Sequence, residues 1–162
     1  MARAPQLYSY QAHVISRIRD AIANGTRRVL VVAPTGSGKT VIAAEIMRNA
    51  ASQGQGVVFL DHRRELTKQA SRKLYEFGVD HGIIQAGFPA RPSERVQIAS
   101  IQTLHARAVR SRSIELPPAD LVVVDEWTPL KTTGNSRGDG RLRDWGMRGI
   151  GNGGTTGIFR RG

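Results

Sequence analysis

A loop of small residues that ends in a lysine and a threonine is the clearest chemical signal in this sequence. The loop reads Ala33-Pro-Thr-Gly-Ser-Gly-Lys-Thr40. Its glycines let the backbone curl so that several N–H groups point at one polyphosphate. The lysine can then reach the outer phosphates, and the threonine hydroxyl can ligate Mg²⁺. The sequence therefore predicts a phosphate-binding loop whose binding residues are Pro34, Thr35, Gly36, Ser37, Gly38, Lys39 and Thr40.

Two adjacent carboxylates follow an apolar run later in the chain. Val122-Val-Val leads directly into Asp125 and Glu126. A strand can end in ordinary surface carboxylates, but this pair lies about 85 residues after the phosphate loop, as the second half of a phosphate-transfer site does. We expect Asp125 to hold Mg²⁺, directly or through water. We expect Glu126 to polarise the attacking water as general base, with Lys39 as the second catalytic group.

These residues must be positioned by the elements on either side of them, and the pattern predicts alternating helices and strands. The run Arg28 to Ala33 is apolar from its second residue onward, which is typical of a strand buried on both faces. Further strands are predicted at 57–60, 82–85, 96–100 and 121–125, and helices at 14–22, 40–52, 65–77 and 102–109. This alternation predicts an α/β fold with a doubly wound parallel sheet, the fold class of P-loop NTPases.

Composition limits the function classes. The 162 residues include no cysteine, which excludes disulfides, thiol nucleophiles and zinc–thiolate sites. No apolar run reaches the roughly 18–20 residues that a membrane span needs, and we expect a cytoplasmic protein without a membrane partner. The formal net charge is +11. A field of this sign attracts polyanions, and nucleic acid is the commonest of them.

The periodic pattern stops at Glu126. Residues 127–162 contain ten glycines and seven Lys or Arg residues against two Asp residues. We therefore expect two regions, a nucleotide-binding domain at 1–126 and a Gly/Arg-rich tail at 127–162 that is disordered or non-native. A shifted reading frame or a truncation would explain so abrupt a change. Gly149 to Gly154 has the spacing of a dinucleotide-binding loop, but no strand precedes it and no apolar helix follows it.

In this order, the motifs resemble those of superfamily 2 helicases of the DEAD/DEAH type, from about Leu7 to Glu126. The resemblance is to the branch with excision-repair helicases and restriction-enzyme motor subunits. It implies the first RecA-like domain of an ATP-dependent DNA helicase or translocase, incomplete at its C-terminus. ATP and Mg²⁺ are the implied cofactors. The implied partners are nucleic acid, DNA rather than RNA, and a second RecA-like domain in a full-length parent.

The resemblance also assigns roles to individual residues. Leu7-Tyr-Ser-Tyr-Gln11 is similar to the adenine-reading segment, which maps adenine contact onto Gln11. The segment from Phe59 to Leu66 resembles a motif that touches the backbone of a bound strand, which implies contacts through Arg63 and Arg64. The segment from Val96 to Leu104 resembles the next such motif; its polar side chains could equally cap a short helix. The implied contacts there are Ser100, Gln102 and Thr103.

Three departures from the family pattern limit what this chain can do alone. Trp127-Thr128 stands where the family has Ala-His or Cys-His, and neither a Ser/Thr-Ala-Thr segment nor an arginine-finger motif follows. We therefore expect ATP binding, very slow hydrolysis and no unwinding. The family's next strand, expected beside the phosphate-loop strand, is also missing, which predicts an exposed sheet edge. The alternative function is a non-enzymatic, basic nucleic-acid-binding module driven by the tail.

Overall fold

A computed structural model describes residues 6–34, 36–61, 64–125 and 155–160. Helices and strands alternate as the sequence pattern predicts, and their bounds shift by a few residues at most of the ends. The elements are α1 (Ser9–Ala23), β1 (Arg28–Val32), α2 (Lys39–Ser52), β2 (Val57–Asp61), α3 (Arg64–Glu76), β3 (His81–Ile84), β4 (Val96–Ser100), α4 (Ile101–Leu104), a π-helix (His105–Arg110), β5 (Leu121–Val124) and β6 (Thr155–Arg160).

The strands form one six-stranded sheet in the order β1-β6-β5-β2-β4-β3. The pairs β5–β2, β2–β4 and β4–β3 are parallel, whereas β6 is antiparallel to both of its neighbours. One buried cluster joins α1, α2 and α3 to one face of the sheet, and a second joins α4 and the π-helix to the other. Helices therefore cover both faces, and the predicted α/β class with a mostly parallel sheet is confirmed.

Strand β6 corrects the expectation for the tail. No regular structure was expected between residues 127 and 162, yet Thr155–Arg160 pairs with β1 on one side and β5 on the other. Local composition fails here because a strand is stabilised by hydrogen bonds and side-chain packing from neighbours distant in sequence. The rest of the tail, including Gly149 to Gly154, lies outside the described residues.

Strand β1 corrects a second expectation. Its apolar run predicts burial on both faces, but among the described strands β1 is the last of the sheet, and its residues alternate in exposure. Leu30 and Val32 are 47% and 74% exposed, whereas Val29 and Val31 pack against the helices on the other face. A strand beside β1 was expected to be missing, but β6 occupies that position, which corrects the expectation; on the other side of β1, no described strand pairs with it. No described helix is long and apolar enough to cross a membrane.

Candidate nucleotide-binding site

The phosphate loop leaves the carboxyl end of β1 and leads into α2. Gly36 and Gly38 have φ angles of +82° and +76°, a region that side chains other than glycine rarely adopt. Gly38 caps α2, because its carbonyl accepts hydrogen bonds from Val41 N at 2.9 Å and Ile42 N at 3.0 Å. The helix N-terminus, with its partial positive charge, therefore begins at the loop. Thr35, the remaining loop residue, lies outside the described residues.

Lys39 lies across this loop. Its Nζ donates hydrogen bonds to the carbonyl oxygens of Ala33 at 2.9 Å and Pro34 at 3.0 Å. Two carbonyl groups of the loop's own backbone thus hold the ammonium group. Within the described part of the chain, the Ser37 hydroxyl oxygen is buried without a hydrogen-bond partner. A buried polar atom of this kind is rare in folded proteins, and a bound anion or water commonly supplies the partner.

Asp125 meets the loop from the opposite side. It directly follows β5, is buried, and donates its backbone N–H to Leu60 O at 2.9 Å. Its Oδ2 lies 3.5 Å from the Thr40 hydroxyl oxygen, although the two residues are 85 positions apart. Its Oδ1 accepts a 3.0 Å hydrogen bond from the Thr156 hydroxyl of β6. The fold therefore brings the two predicted magnesium-binding residues together beside Lys39.

The donors at this point suit Mg²⁺. This ion prefers oxygen ligands, and proteins usually hold it through one or two carboxylates together with substrate phosphates and water. A hydroxyl and a carboxylate oxygen 3.5 Å apart can face one such ion. Among the described residues, no group of three or more His, Cys, Asp or Glu side chains forms a separate metal site. The arrangement fits a metal that arrives with a phosphate ligand.

The N-terminus of α1 supports the loop from a third direction. The Tyr10 hydroxyl donates a 2.7 Å hydrogen bond to Ser37 O, and the Gln11 side-chain nitrogen lies too close to Gly38 to leave room for a Cβ there. Gln11 is buried, and its Oε1 accepts a 3.0 Å hydrogen bond from Tyr8 N, half of a capping box. This bond uses one lone pair of the amide oxygen and leaves the other able to accept a hydrogen bond from a ligand. Contact between Gln11 and adenine stays a prediction.

The residues assigned to nucleic-acid contact are placed unevenly. Ser100 is buried and caps α4, because its hydroxyl oxygen accepts from Thr103 N at 3.2 Å and donates to Thr103 Oγ1 at 2.9 Å. The capping alternative therefore accounts for these two hydroxyls. Gln102 is exposed on the same helix. Arg63 and the side chain of Arg64 lie outside the described residues, as does the predicted general base, Glu126.

Sequence reasoning missed two residues of the site. Tyr10 lies within the segment that resembles the adenine-reading motif, but that resemblance assigned a contact only to Gln11 and none to Tyr10. Thr156 carries no local signal, because it lies between glycine-rich segments with neither helical nor strand periodicity. Its place beside Asp125 depends on the pairing of β6 with β5, which is visible only in three dimensions.

Comparison with known proteins supports the family indicated by the motifs. Residues 4–127 match the ResIII family, described as "Type III restriction enzyme, res subunit". A Saccharomyces cerevisiae protein named as an ATP-dependent helicase, IRC3, is 33% identical over 76% of this chain and 19% of its own length. The EcoKI type I restriction enzyme endonuclease subunit of Escherichia coli is 29% identical over 72% of this chain and 11% of its own length.

The EcoAI type I restriction enzyme endonuclease subunit of Escherichia coli is 28% identical over 76% of this chain and 16% of its own length. The chain thus spans less than a fifth of each of these three relatives. The matched residues include the phosphate loop, the Tyr10–Gln11 segment and the acidic pair. The chain therefore belongs to the ResIII family of helicase-like superfamily 2 proteins.

Proposed function

We propose that this chain binds Mg-ATP between the phosphate loop and Asp125, as the ATP-binding domain of a DNA helicase or translocase. Family membership already makes it an ATP-dependent helicase-like domain. The observation that carries the finer proposal is the meeting of Thr40 and Asp125 at 3.5 Å, at the end of the loop whose carbonyl oxygens hold the Lys39 ammonium group. A loop and a strand end that are 85 residues apart meet with the donors that a metal-bound triphosphate requires.

Each residue has a distinct role in this proposal. The backbone N–H groups of the loop bind the phosphate oxygens, and the N-terminus of α2 favours the same negative charge. Lys39 exchanges its carbonyl partners for the β- and γ-phosphates, while Thr40 and Asp125 hold Mg²⁺, which neutralises charge on the transferred phosphate.

Glu126 orients the attacking water, and Gln11 contacts adenine. Arg63, Arg64 and Gln102 are proposed contacts to the DNA backbone.

Hydrolysis by this chain alone is expected to be slow. In related P-loop enzymes an arginine from a partner domain stabilises the transition state and contributes on the order of 10³–10⁵ in rate. We propose that a second RecA-like domain supplies this arginine. Binding of Mg-ATP needs only the groups present here. We therefore expect measurable ATP binding with little turnover and no strand separation.

Isothermal titration of ATP in excess Mg²⁺ tests the proposal. Lys39→Ala removes the group that reaches the outer phosphates, and a lost charge-assisted contact of about 1.5–3 kcal/mol weakens binding by about 10- to 100-fold. Lys68→Ala is the matched control, because Lys68 is an exposed lysine on α3 and its loss should leave affinity unchanged. Equal affinities for wild type and Lys39→Ala would refute the assignment of the phosphate loop.

The net charge of +11 favours a second candidate, a nucleic-acid-binding module that works without ATP. Its binding to a DNA duplex would survive Lys39→Ala and would be lost when the Lys and Arg residues between positions 127 and 154 are replaced by Gln, a change that leaves β6 in place. It would also fall steeply with salt, because each neutralised phosphate releases counterions. Fluorescence anisotropy of labelled DNA at several salt concentrations, with and without ATP, distinguishes the two functions. Only the helicase-type domain should change its DNA affinity with nucleotide.

A further inference from the structure

We propose that Thr156, on β6, is a positioning residue that orients the Asp125 carboxylate for Mg²⁺. This inference rests on the Mg-ATP site proposed above and adds to it a segment outside the family match, which ends at residue 127. It assigns a role in nucleotide binding to six residues of the Gly/Arg-rich tail. In this proposal, β6 contributes to the nucleotide-binding site.

The first argument is the hydrogen-bond geometry around the carboxylate. Thr156 is buried and donates to Asp125 Oδ1 at 3.0 Å, while Asp125 Oδ2 faces the Thr40 hydroxyl at 3.5 Å. The two carboxylate oxygens thus point at different threonines. The terminal torsion of an aspartate is soft, so an unrestrained carboxylate can rotate. A hydrogen bond that fixes Oδ1 therefore also fixes the direction of Oδ2, the oxygen nearer the loop.

The second argument is the position of β6 in the sheet. It pairs with β1, which leads into the phosphate loop, and with β5, which leads to Asp125. Thr156 lies opposite Val31 of β1, and Arg160 N donates a 2.9 Å hydrogen bond to Arg27 O. In the described part of the sheet, β6 is therefore the strand that joins the two halves of the site. A shift of β6 would therefore change the distance between the phosphate loop and Asp125, or their relative orientation.

The third argument concerns register. Thr156 reaches Asp125 only while it faces the α1–α2 side of the sheet, and a slip of one residue would turn it to the opposite face. The Phe159 ring lies over Gly157, where an added Cβ would come within 2.7 Å and 2.9 Å of two ring carbons. Gly157 therefore leaves the space that the ring fills. Phe159 is 3% exposed in the cluster under α4 and the π-helix, and a slip of one residue would turn its ring away from that cluster, so its burial favours a single register for β6.

The test separates the hydroxyl of Thr156 from its contribution to packing. Thr156→Val keeps the branched shape and removes the hydroxyl, whereas Thr156→Ser keeps the hydroxyl and removes a methyl group. ATP dissociation constants are measured by isothermal titration calorimetry in excess Mg²⁺ and again in EDTA, on the full 162-residue chain. Far-ultraviolet circular dichroism verifies that each variant is folded. If Thr156→Val does not fold, Thr156→Ala takes its place, and its ATP dissociation constants in Mg²⁺ and in EDTA are compared in the same way.

The expected result is a loss confined to the metal-bound nucleotide. Loss of a group that orients a metal ligand typically lowers metal affinity by at least about 10-fold, so Thr156→Val should weaken Mg-ATP binding by about that factor. The affinity of Thr156→Val for ATP in EDTA should stay within about 2-fold of wild type, because the phosphate loop is unchanged. The affinity of Thr156→Ser for Mg-ATP should also stay within about 2-fold of wild type, because serine keeps the hydroxyl that orients Asp125. A structural defect would lower both affinities together and would not be rescued by serine.

Two outcomes overturn the inference. One is a Thr156→Val protein that binds Mg-ATP as wild type does, while Lys39→Ala and Asp125→Asn both lose affinity. The other is an equal loss in Thr156→Ser and Thr156→Val, which would assign the effect to the missing methyl packing. Wild-type affinity in Lys39→Ala would instead show that the proposed Mg-ATP site is wrong, and the role of Thr156 would fail with it.

Discussion

One row of residues crosses the whole sheet and passes through two different environments. From the outer edge of β1 inward, paired positions run Leu30, Gly157, Val124, Leu60, Ala99 and Ile84. Leu60 and Leu30 lie on the same face of the sheet and have the same side chain. Leu60 is 1% exposed under α4 and the π-helix, whereas Leu30 is 47% exposed.

This difference shows that neighbours, and not the strand's own sequence, decide burial. Both β1 and β2 are short apolar runs, but β2 has a parallel strand on each side and helices over both faces. Within the part of the chain that the structure describes, β1 has β6 as its one neighbouring strand and packs against helices on one face. The phosphate loop starts from this less buried strand. Its position therefore depends on α1, α2 and β6 more than on the core of the sheet.

The largest expected effect separates the two leucines. Leu60→Ala removes a fully buried side chain and should lower the free energy of unfolding by about 3–5 kcal/mol. Leu30→Ala makes the same chemical change at the half-exposed edge and should cost less than about 1 kcal/mol. Urea unfolding followed by circular dichroism measures both values. Similar losses in the two variants would mean that the outer face of β1 is covered in the folded protein.

The second effect concerns how the loop is held at the edge. Gly38→Ala forces a side chain into a left-handed backbone conformation, which costs about 1–2 kcal/mol, and also drives the Gln11 amide out of its place. Gly36→Ala is the matched control, since Gly36 has a similar φ angle but open space around it. We expect Gly38→Ala to weaken ATP binding more than Gly36→Ala in the same titration.

Equal affinities in the two glycine variants would argue against support of the loop by α1. In that case backbone strain alone would account for both losses, because Gly36 and Gly38 share the left-handed conformation. The contact between Gln11 and the loop would then make no measurable contribution to ATP affinity. The comparison thus tests whether the edge region is held by contacts from a helix in place of burial in the sheet.

The sequence predicted the buried strands of the sheet better than it predicted the region around the edge strand β1. Buried parallel strands such as Val96–Ser100 carry continuous apolar runs, and the glycine-rich loop needs its particular residues wherever it occurs. Both were predicted from local pattern. Strand β6 was not predicted, because the residues that stabilise it lie in β1 and β5. The exposure of Val32 was missed for the same reason, since a sequence run does not indicate which strand lies at the edge.

The candidate site divides in a similar way. Lys39, Thr40 and Asp125 could be identified because phosphate and Mg²⁺ chemistry limits the residue types at each position. Thr156 donates a hydrogen bond to Asp125 from outside that set, and any residue with a hydroxyl at the right register could do the same. Supporting groups of this kind have few sequence constraints. They are found only when the fold shows which side chains contact the chemical groups.

The smallest effect tests the contact between α1 and the loop with a single atom. Tyr10→Phe removes the hydroxyl that donates to Ser37 O, a partly exposed bond worth about 0.5–1 kcal/mol, so ATP affinity should fall by about 2- to 5-fold. Tyr8→Phe removes the same atom from the ring stacked on Tyr10 and leaves the bond to Ser37 intact, so its affinity should match wild type. Calorimetric titration with Mg-ATP measures both variants. An unchanged affinity in Tyr10→Phe, with Gly38→Ala still impaired, would leave Gln11 as the contact from α1 that holds the loop.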